Sequence, residues 1–328
     1  MDVSKGQMMD NVRAAGPAGV IGLGLMGTSI TAALLAAGHS VTSLSIDPKQ
    51  RANGPGHIVE LLRELRREGM LAEDAEQLIE RLHVTDDYKD FANCQIVIES
   101  IIEDLPAKRA AIRKTEEVVS ADALIGSNTS SIPVTLLQQG ALHPERILGI
   151  HWAEPAHVTR FMEIISGNES GIAYAERAVE FARGWGKEPT LVRKDIRGFI
   201  TNRIMYAMIR EAFFLVENGY ATVADIDRSV RNDMGFWMTL AGPFRYMDLT
   251  GVPAYRSVMK DLLPELNCEK SVPRLMEEVV SSGGLGVANG RGFYDYTPEQ
   301  ARRWEEVFLK FTYEIRGLAQ KYPESIGD

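Results

Sequence analysis

Val20-Ile21-Gly22-Leu23-Gly24-Leu25-Met26-Gly27 is the stretch whose reading decides the fold. A short apolar run meets three glycines at G-x-G-x-x-G spacing, and Thr28 to Ala37 continues as an Ala/Leu-rich segment at helical period, closed by Gly38. Gly22 permits a tight turn, Gly24 lets a pyrophosphate approach the backbone, and Gly27 lets a helix pack close to a strand. Leu25 and Met26 open that helix, where unpaired N–H groups and the helix dipole favour phosphate. A flavodoxin-like turn without a nucleotide is the alternative for such glycines. The segment beyond Gly38 favours the dinucleotide. A second β-type run, Ser40 to Ile46, ends in Asp47, 20 residues beyond Gly27, where a carboxylate holds ribose hydroxyls. That acid favours NAD over NADP because it repels a 2′-phosphate, while Arg51 pulls weakly the other way.

The composition bounds the rest. A chain of 328 residues with 45% hydrophobic and 25% charged content reads as a soluble globular protein of two domains. A formal charge of −9 argues against a nucleic-acid or anionic-membrane surface. Two cysteines, Cys94 and Cys268, support neither a disulfide framework nor a zinc cluster and fit a cytoplasmic location. No apolar run approaches the ~20 residues of a membrane span. Residues 1–17 lack an apolar segment of secretory type and read as a loose leader.

Along the chain, 48–56 is turn-like in composition. Two amphipathic helices follow, over about 58–68 and 73–82, as a helical hairpin whose Arg and Glu residues form solvated pairs. Strands are expected near 83–85, 95–99, 123–126, 146–150, 161–165 and 189–192, alternating with helices over about 105–120 and 173–185. Such βα alternation argues for a mostly parallel, doubly wound α/β sheet, with ligands at the carboxyl ends of its strands. Gly22–Gly27, Glu99, Ser127–Ser131 and His151 all fall at such ends. Beyond about residue 196 nearly everything reads as helix. The organisation is therefore a leader (1–17), a dinucleotide-binding domain (18–195), a helical substrate and dimerisation domain (196–297) and a helical extension (298–328). Apolar excess in the helical half (Phe213, Phe214, Phe236, Trp237, Met238) points to a homodimer.

A dehydrogenase needs a base titrating near neutrality, and histidine fits best. His151 stands out among six, because the apolar run Ile147–Ile150 carries it to the sheet edge where a nicotinamide arrives. His157 is the runner-up. Glu163 sits among Phe161, Met162, Ile164 and Ile165, and an acid in that setting needs a partner. The partner is either His151, as an oriented imidazole, or Arg160. Ser127, Asn128, Thr129, Ser130 and Ser131 offer hydroxyl and amide groups at a strand end. Asn202 lies early on an otherwise apolar helix.

Together these residues resemble the 3-hydroxyacyl-CoA dehydrogenase family from about Ala18 to Tyr296. The matching runs are Val20–Gly27, Glu99–Glu103 with Lys108, Ser127–Ser131, Gly149–His151 with Pro155, Phe161–Ile165, Gly198–Arg203, Gly242–Phe244 with Asp248 and Gly251, and Gly290–Tyr296. The resemblance implies a Rossmann domain with a helical partner domain, NAD, and a catalytic His–Glu pair at His151 and Glu163. It implies substrate contacts at Ser130 and Asn202, and a cofactor side lined by Glu103 and Lys108.

Departures from the family pattern bear on substrate. Where the family commonly reads His-Phe-Phe-Asn-Pro, this chain has His151-Trp152-Ala153-Glu154-Pro155, so an acid replaces an amide. The family's CoA-contacting Ser and Lys fall near Leu61 and Glu68. Trp237 and its neighbours are bulkier than usual. Glu154, Trp152 and Trp237 are thus the expected specificity residues. A site gaining carboxylates and bulk is poorly suited to a polyphosphate thioester. The reading is an NAD-dependent dehydrogenase that interconverts a 3-hydroxy and a 3-oxo group, with either an acyl-CoA or a small hydroxy, keto or amine-bearing substrate. Relatives acting on carnitine, gulonate or hydroxymethyl-pyridine acids keep this chemistry without CoA. An NAD-binding structural protein, like the lens crystallins recruited from this fold, is the alternative from another class.

Overall fold

Ala18–Ile21 forms β1, buried at all four positions, and Leu25–Ala36 forms α1, whose residues from Gly27 to Leu35 are buried too. The computed structural model describes residues 16–322, so the leader expected over 1–17 lies almost wholly outside them. The remaining strands are β2 (Val41–Leu44), β3 (Leu82–Thr85), β4 (Ile96–Glu99), β5 (Leu124–Ser127), β6 (Ile147–Trp152), β7 (Phe161–Ser166) and β8 (Glu188–Val192). Between them run α2 (Pro48–Arg67), α3 (Ala75–Ile79), α4 (Leu105–Glu116), α5 (Val134–Gln138) and α6 (Ile172–Gly184).

One sheet holds the eight strands of the described residues in the order β3-β2-β1-β4-β5-β6-β7-β8. The period-two pleat divides its side chains between two cores. Ile96 and Ile98 pack with Val20, Ile30 and Leu34 on one face, and Val97 packs with Ile21, Phe91 and Ile125 on the other. Strands β1 to β6 are parallel, as βα alternation predicts. The alternation then breaks, because β7 runs antiparallel to β6, and β8 parallel to β7. Residues 153–160, the connection between β6 and β7, are too few for the crossover that a parallel pair requires.

The hairpin also departs from expectation. Residues 48–56 are helical rather than turn-like, because Asp47 caps α2: its carboxylate accepts the Lys49 N–H at 2.8 Å, with Pro48 in the first turn. Pro55 is carried inside the helix. The expected second helix contracts to α3, capped by Asp74. Arg63 and Arg66 tie the two helices together instead of pairing only along one. Arg63 bridges Glu60 and Glu76 (2.6 Å each), Arg66 meets Asp74 (2.5 Å), and Arg81 meets Glu73 (2.8 Å).

The chain divides into two compact units after Ile200. The second contains α7 (Thr201–Glu217), α8 (Val223–Asn232), α9 (Met234–Met238), α10 (Pro243–Thr250), α11 (Val252–Leu262), α12 (Arg274–Ser281) and α13 (Pro298–Lys321). Carboxylates on α7 receive later backbone, Glu211 from Asn267 N–H (2.9 Å) and Glu217 from Leu275 N–H (2.6 Å). The strand-like run near Tyr294 forms isolated bridges, Arg291 with Gly286 and with Asp295. A capping box between Thr297 and Gln300 starts α13.

Candidate active site

Strand register assembles the site. Ile21 pairs with Glu99, Glu99 with Ser127, and Ser127 with Gly149, so one row crosses the carboxyl ends of β1, β4, β5 and β6. The glycines occupy the head of this row. Gly22 has φ 103, a backbone closed to most residues, and a Cβ on Gly27 would collide with the Gly22 carbonyl. At Gly24 a Cβ would meet nothing within 4 Å, and no side chain caps α1. Open backbone above uncapped N–H groups fits a pyrophosphate. Leu25 and Met26 sit in that first turn, with Leu25 exposed. Asp47 lies three residues past β2, exposed, with one carboxylate oxygen engaged by Lys49.

The middle of the row is only half legible in the sequence. Lys108 is buried with its ammonium 2.8 Å from Glu99 and 3.4 Å from Glu103. Glu99 has a fully buried side chain, holds Lys108 and the Ile101 N–H with one oxygen, and accepts the Ser127 hydroxyl with the other. Glu103 gathers the loop after β5, accepting Thr129 Oγ1 (2.6 Å), Ser130 N–H (3.1 Å), Ser131 N–H (3.0 Å) and the Ser131 hydroxyl (3.2 Å). Partial burial pushes the Glu103 carboxyl up, but the Thr129 hydrogen bond and the Lys108 charge outweigh it and hold it below its ordinary range. Asn128 braces the strand ends, accepting the Trp152 N–H at 2.9 Å and donating to Ser100 Oγ at 3.2 Å. Ser130 is exposed, at the tip of this loop. In the sequence Glu99 is legible only as a charged residue closing the apolar run Ile96–Ile98 at a strand end, and its partners Lys108 and Ser127 come from the fold.

At the far end of the row, His151 lies within β6 and is the register partner of Glu163 on β7. Opposed residues of an antiparallel pair share a face. The imidazole Nδ1 is 2.9 Å from Glu163 Oε2, with side chains 9% and 1% exposed. Glu163 Oε1 accepts the Ile200 N–H at 3.1 Å. Arg160, the competing partner, pairs with Glu188 instead. The rings of Phe161 and Phe199 lie 5.5 and 5.6 Å from the imidazole.

The runner-up histidine and the specificity residues divide. His157 is buried and ties the 153–160 loop to the helices, with Nδ1 2.8 Å from Ser29 Oγ and Nε2 3.4 Å from Glu64. Glu154 lies on that loop with its side chain reaching solvent, and neighbouring protein atoms shield the carboxyl enough to push it above its ordinary range, against the lowering effect of His157. Trp152 points into the core, 2% exposed and stacked on Trp185 at 5.3 Å, with the Lys187 ammonium 4.9 Å over its ring. Its side chain is a packing group, because a strand residue next to His151 faces the opposite side of the sheet. In the second unit, Asn202 falls in the first turn of α7, and Trp237 on α9 stacks on Tyr246 at 4.1 Å. Leu61 packs against the core and Glu68 ends α2. Among the described residues no cluster of metal-ligating side chains occurs.

These features can be set against known proteins. The family model of the 3-hydroxyacyl-CoA dehydrogenase NAD-binding domain matches residues 17–196, and that of the C-terminal domain matches residues 198–296. A 5-formyl-3-hydroxy-2-methylpyridine 4-carboxylate 5-dehydrogenase of Mesorhizobium japonicum is 32% identical over 86% of this chain and 91% of its own length. A solved 5-formyl-3-hydroxy-2-methylpyridine 4-carboxylic acid 5-dehydrogenase, described as an NAD+-dependent dismutase, superposes with a TM-score of 0.87 at 28% identity, covering 94% of this chain and 99% of its own. The (S)-3-hydroxybutyryl-CoA dehydrogenase of Ralstonia eutropha superposes with a TM-score of 0.71 at 29% identity, covering 86% and 99%. The glycine cradle, the eight-stranded sheet followed by helices and the two matched domains together mean that this chain belongs to the 3-hydroxyacyl-CoA dehydrogenase family, NAD-dependent oxidoreductases acting on CH–OH groups.

Proposed function

We propose that this dehydrogenase acts on a small, non-CoA hydroxy or carbonyl compound, with His151 as the proton-transferring base and Glu163 as its orienting partner. The observation that carries the chemistry is the 2.9 Å contact between His151 Nδ1 and Glu163 Oε2 in a nearly dry setting. A carboxylate there accepts the Nδ1 proton, which leaves the Nε2 lone pair as the basic site. When His151 takes a hydroxyl proton, Glu163 stabilises the imidazolium, and Ile200 N–H keeps the carboxylate from rotating away. NAD, when bound, takes up or returns the hydride. Gly22, Gly24, Leu25, Met26 and Gly27 would hold its pyrophosphate and Asp47 its adenosine ribose. Ser130, exposed at the tip of the loop that Glu103 organises, would donate its hydroxyl to the reacting oxygen.

The substrate class rests on charge and on likeness. Glu154 places a carboxylate on the loop after His151, and three arginines of the α2–α3 hairpin are already paired with Glu60, Glu73, Asp74 and Glu76. Both features oppose a polyphosphate. The pyridine-dehydrogenase structure superposes with a TM-score of 0.87, against 0.71 for the 3-hydroxybutyryl-CoA dehydrogenase. The test follows NAD reduction with 3-hydroxybutyryl-CoA beside free 3-hydroxybutyrate, carnitine and the formyl-pyridine carboxylate. Turnover of a small compound with the thioester inert is expected, and strong turnover of the thioester alone overturns the reading. In the same assay Glu154→Asn should alter preference among cationic, neutral and anionic substrates.

Exposed apolar side chains in the second unit, among them Phe236 and Phe244, support a homodimer, which sedimentation equilibrium tests. Two unpaired cysteines fit a cytoplasmic location. No helix of the described residues is long and apolar enough to cross a membrane.

A further inference from the structure

Phe199 has φ 53, and among the described residues no other non-glycine residue has a positive φ. A bulky residue in this region is strained, and such strain persists where the surroundings over-determine it. The turn is held from several directions. Gly198 precedes it at φ 78, the Phe199 N–H donates to the Ile196 carbonyl at 3.0 Å, and Asp195 accepts the Thr135 N–H at 2.7 Å. The Phe199 ring is 1% exposed, although the chain leaves the first unit one residue later. Both products of the turn fall on one place. The ring lies 5.6 Å from the His151 imidazole at 59°, and the next N–H, of Ile200, reaches Glu163 Oε1 at 3.1 Å.

We infer that Phe199 is a positioning residue for the His151–Glu163 pair: its left-handed backbone delivers the Ile200 N–H to the carboxylate while its ring walls the imidazole. The inference rests on the proposed role of that pair and adds what keeps it in register. Phe161, at 5.5 Å and 90°, forms a second wall, so the imidazole is confined by two aromatic rings and one carboxylate. A confined imidazole presents Nε2 in one direction, and a loss of alignment on the ångström scale is costly in proton transfer. The assignment also gives a reason for a strained phenylalanine following a glycine, where a second glycine would satisfy the backbone at lower cost.

The test compares Phe199→Leu, which keeps apolar bulk and the same backbone strain but removes the ring, with Phe199→Tyr, which keeps the ring. On the proposed substrate, Phe199→Leu should lower kcat by about tenfold or more with KM for NAD unchanged, and Phe199→Tyr should restore most of it. Phe199→Gly relieves the backbone strain but leaves a cavity in the core, so its Tm is read beside kcat, and the folded variant should show the same kcat loss. Wild-type kcat in a folded Phe199→Leu or Phe199→Gly protein overturns the inference. Equal losses in the leucine and tyrosine variants, tracking a fall in Tm, also overturn it, since packing alone then explains them. His151→Gln separates the two levels. If it too leaves turnover intact, the reading of the pair itself fails. If it abolishes turnover while Phe199→Leu does not, only the role of Phe199 fails.

Discussion

His151 and Glu163 face each other across the β6–β7 pair, and their side chains meet at 2.9 Å on one face of the sheet. The contact depends on β7 turning back beside β6, since the antiparallel register puts the two Cβ atoms directly opposite. Removing either group should therefore strike chemistry and spare cofactor binding. His151→Gln should lower kcat by about 10²–10⁴-fold, the usual worth of a positioned base. Glu163→Gln can still accept the Nδ1 proton but cannot neutralise the imidazolium, so kcat should fall with NADH affinity unchanged. Fluorescence titration of NADH beside steady-state kinetics checks both.

The glycine cradle separates binding from folding. Gly24→Ala meets no atom within 4 Å, so the variant should fold normally and bind NADH more weakly, because the added methyl occupies the approach to the backbone. Gly27→Ala drives its methyl into the Gly22 carbonyl and should lower Tm as well as binding. Calorimetry and titration on the two variants should give opposite balances of stability and affinity loss. Similar Tm losses in both would contradict this account.

The Lys108–Glu99 pair is buried on both sides, 1% and 0% exposed. Lys108→Met leaves the buried Glu99 carboxyl without its cation, a change that commonly costs about 3–5 kcal/mol. Urea denaturation should register a loss on this scale. Because Glu103 also loses a cation, the 127–131 loop should become more susceptible to protease. An unchanged midpoint would mean that the ammonium is not what stabilises Glu99.

His39 gives a pH dependence with a definite sign. Its Nδ1 lies 2.7 Å from the Gly16 carbonyl and its Nε2 2.9 Å from Trp185 Nε1, so the ring is neutral with its proton on Nδ1. Burial lowers its pKa below the ordinary 6.5, against the raising effect of the Gly16 carbonyl. With the folded value below the unfolded one, the group's pH slope fades as pH rises past 6.5, where both states lose the proton. As pH falls through 6.5 toward the folded value, the unfolded chain takes up the proton first and stability is lost. Between pH 7.5 and 5.5 the wild-type Tm should drop more steeply than that of His39→Asn. Parallel slopes would refute this.

Much of the molecule is legible because it is locally encoded. The glycine stretch specifies its own turn through backbone conformation, and Thr297 with Gln300 caps α13 so that it begins at Pro298, where the helical extension is expected. Other local signals conflict. Over 48–56 the proline and glycine content speaks for a turn, yet the Asp47 cap and Pro48 at the first position start a helix. The five-residue α9 is too short to leave a readable period.

By itself the sequence determined that β1 and α1 form a dinucleotide cradle, that a sheet domain precedes a helical one, and that Glu163, an acid among apolar neighbours, needs a partner. Tertiary structure decided who that partner is. An apolar strand pattern is the same in either direction, so neither the reversal at β7 nor the choice of His151 over Arg160 is written in spacing. The same holds for Trp152, whose ring belongs to the core because register assigns it the face opposite His151. Caps and turns depend on a few adjacent residues, whereas pairing depends on how distant segments align, and only the folded sheet supplies that alignment.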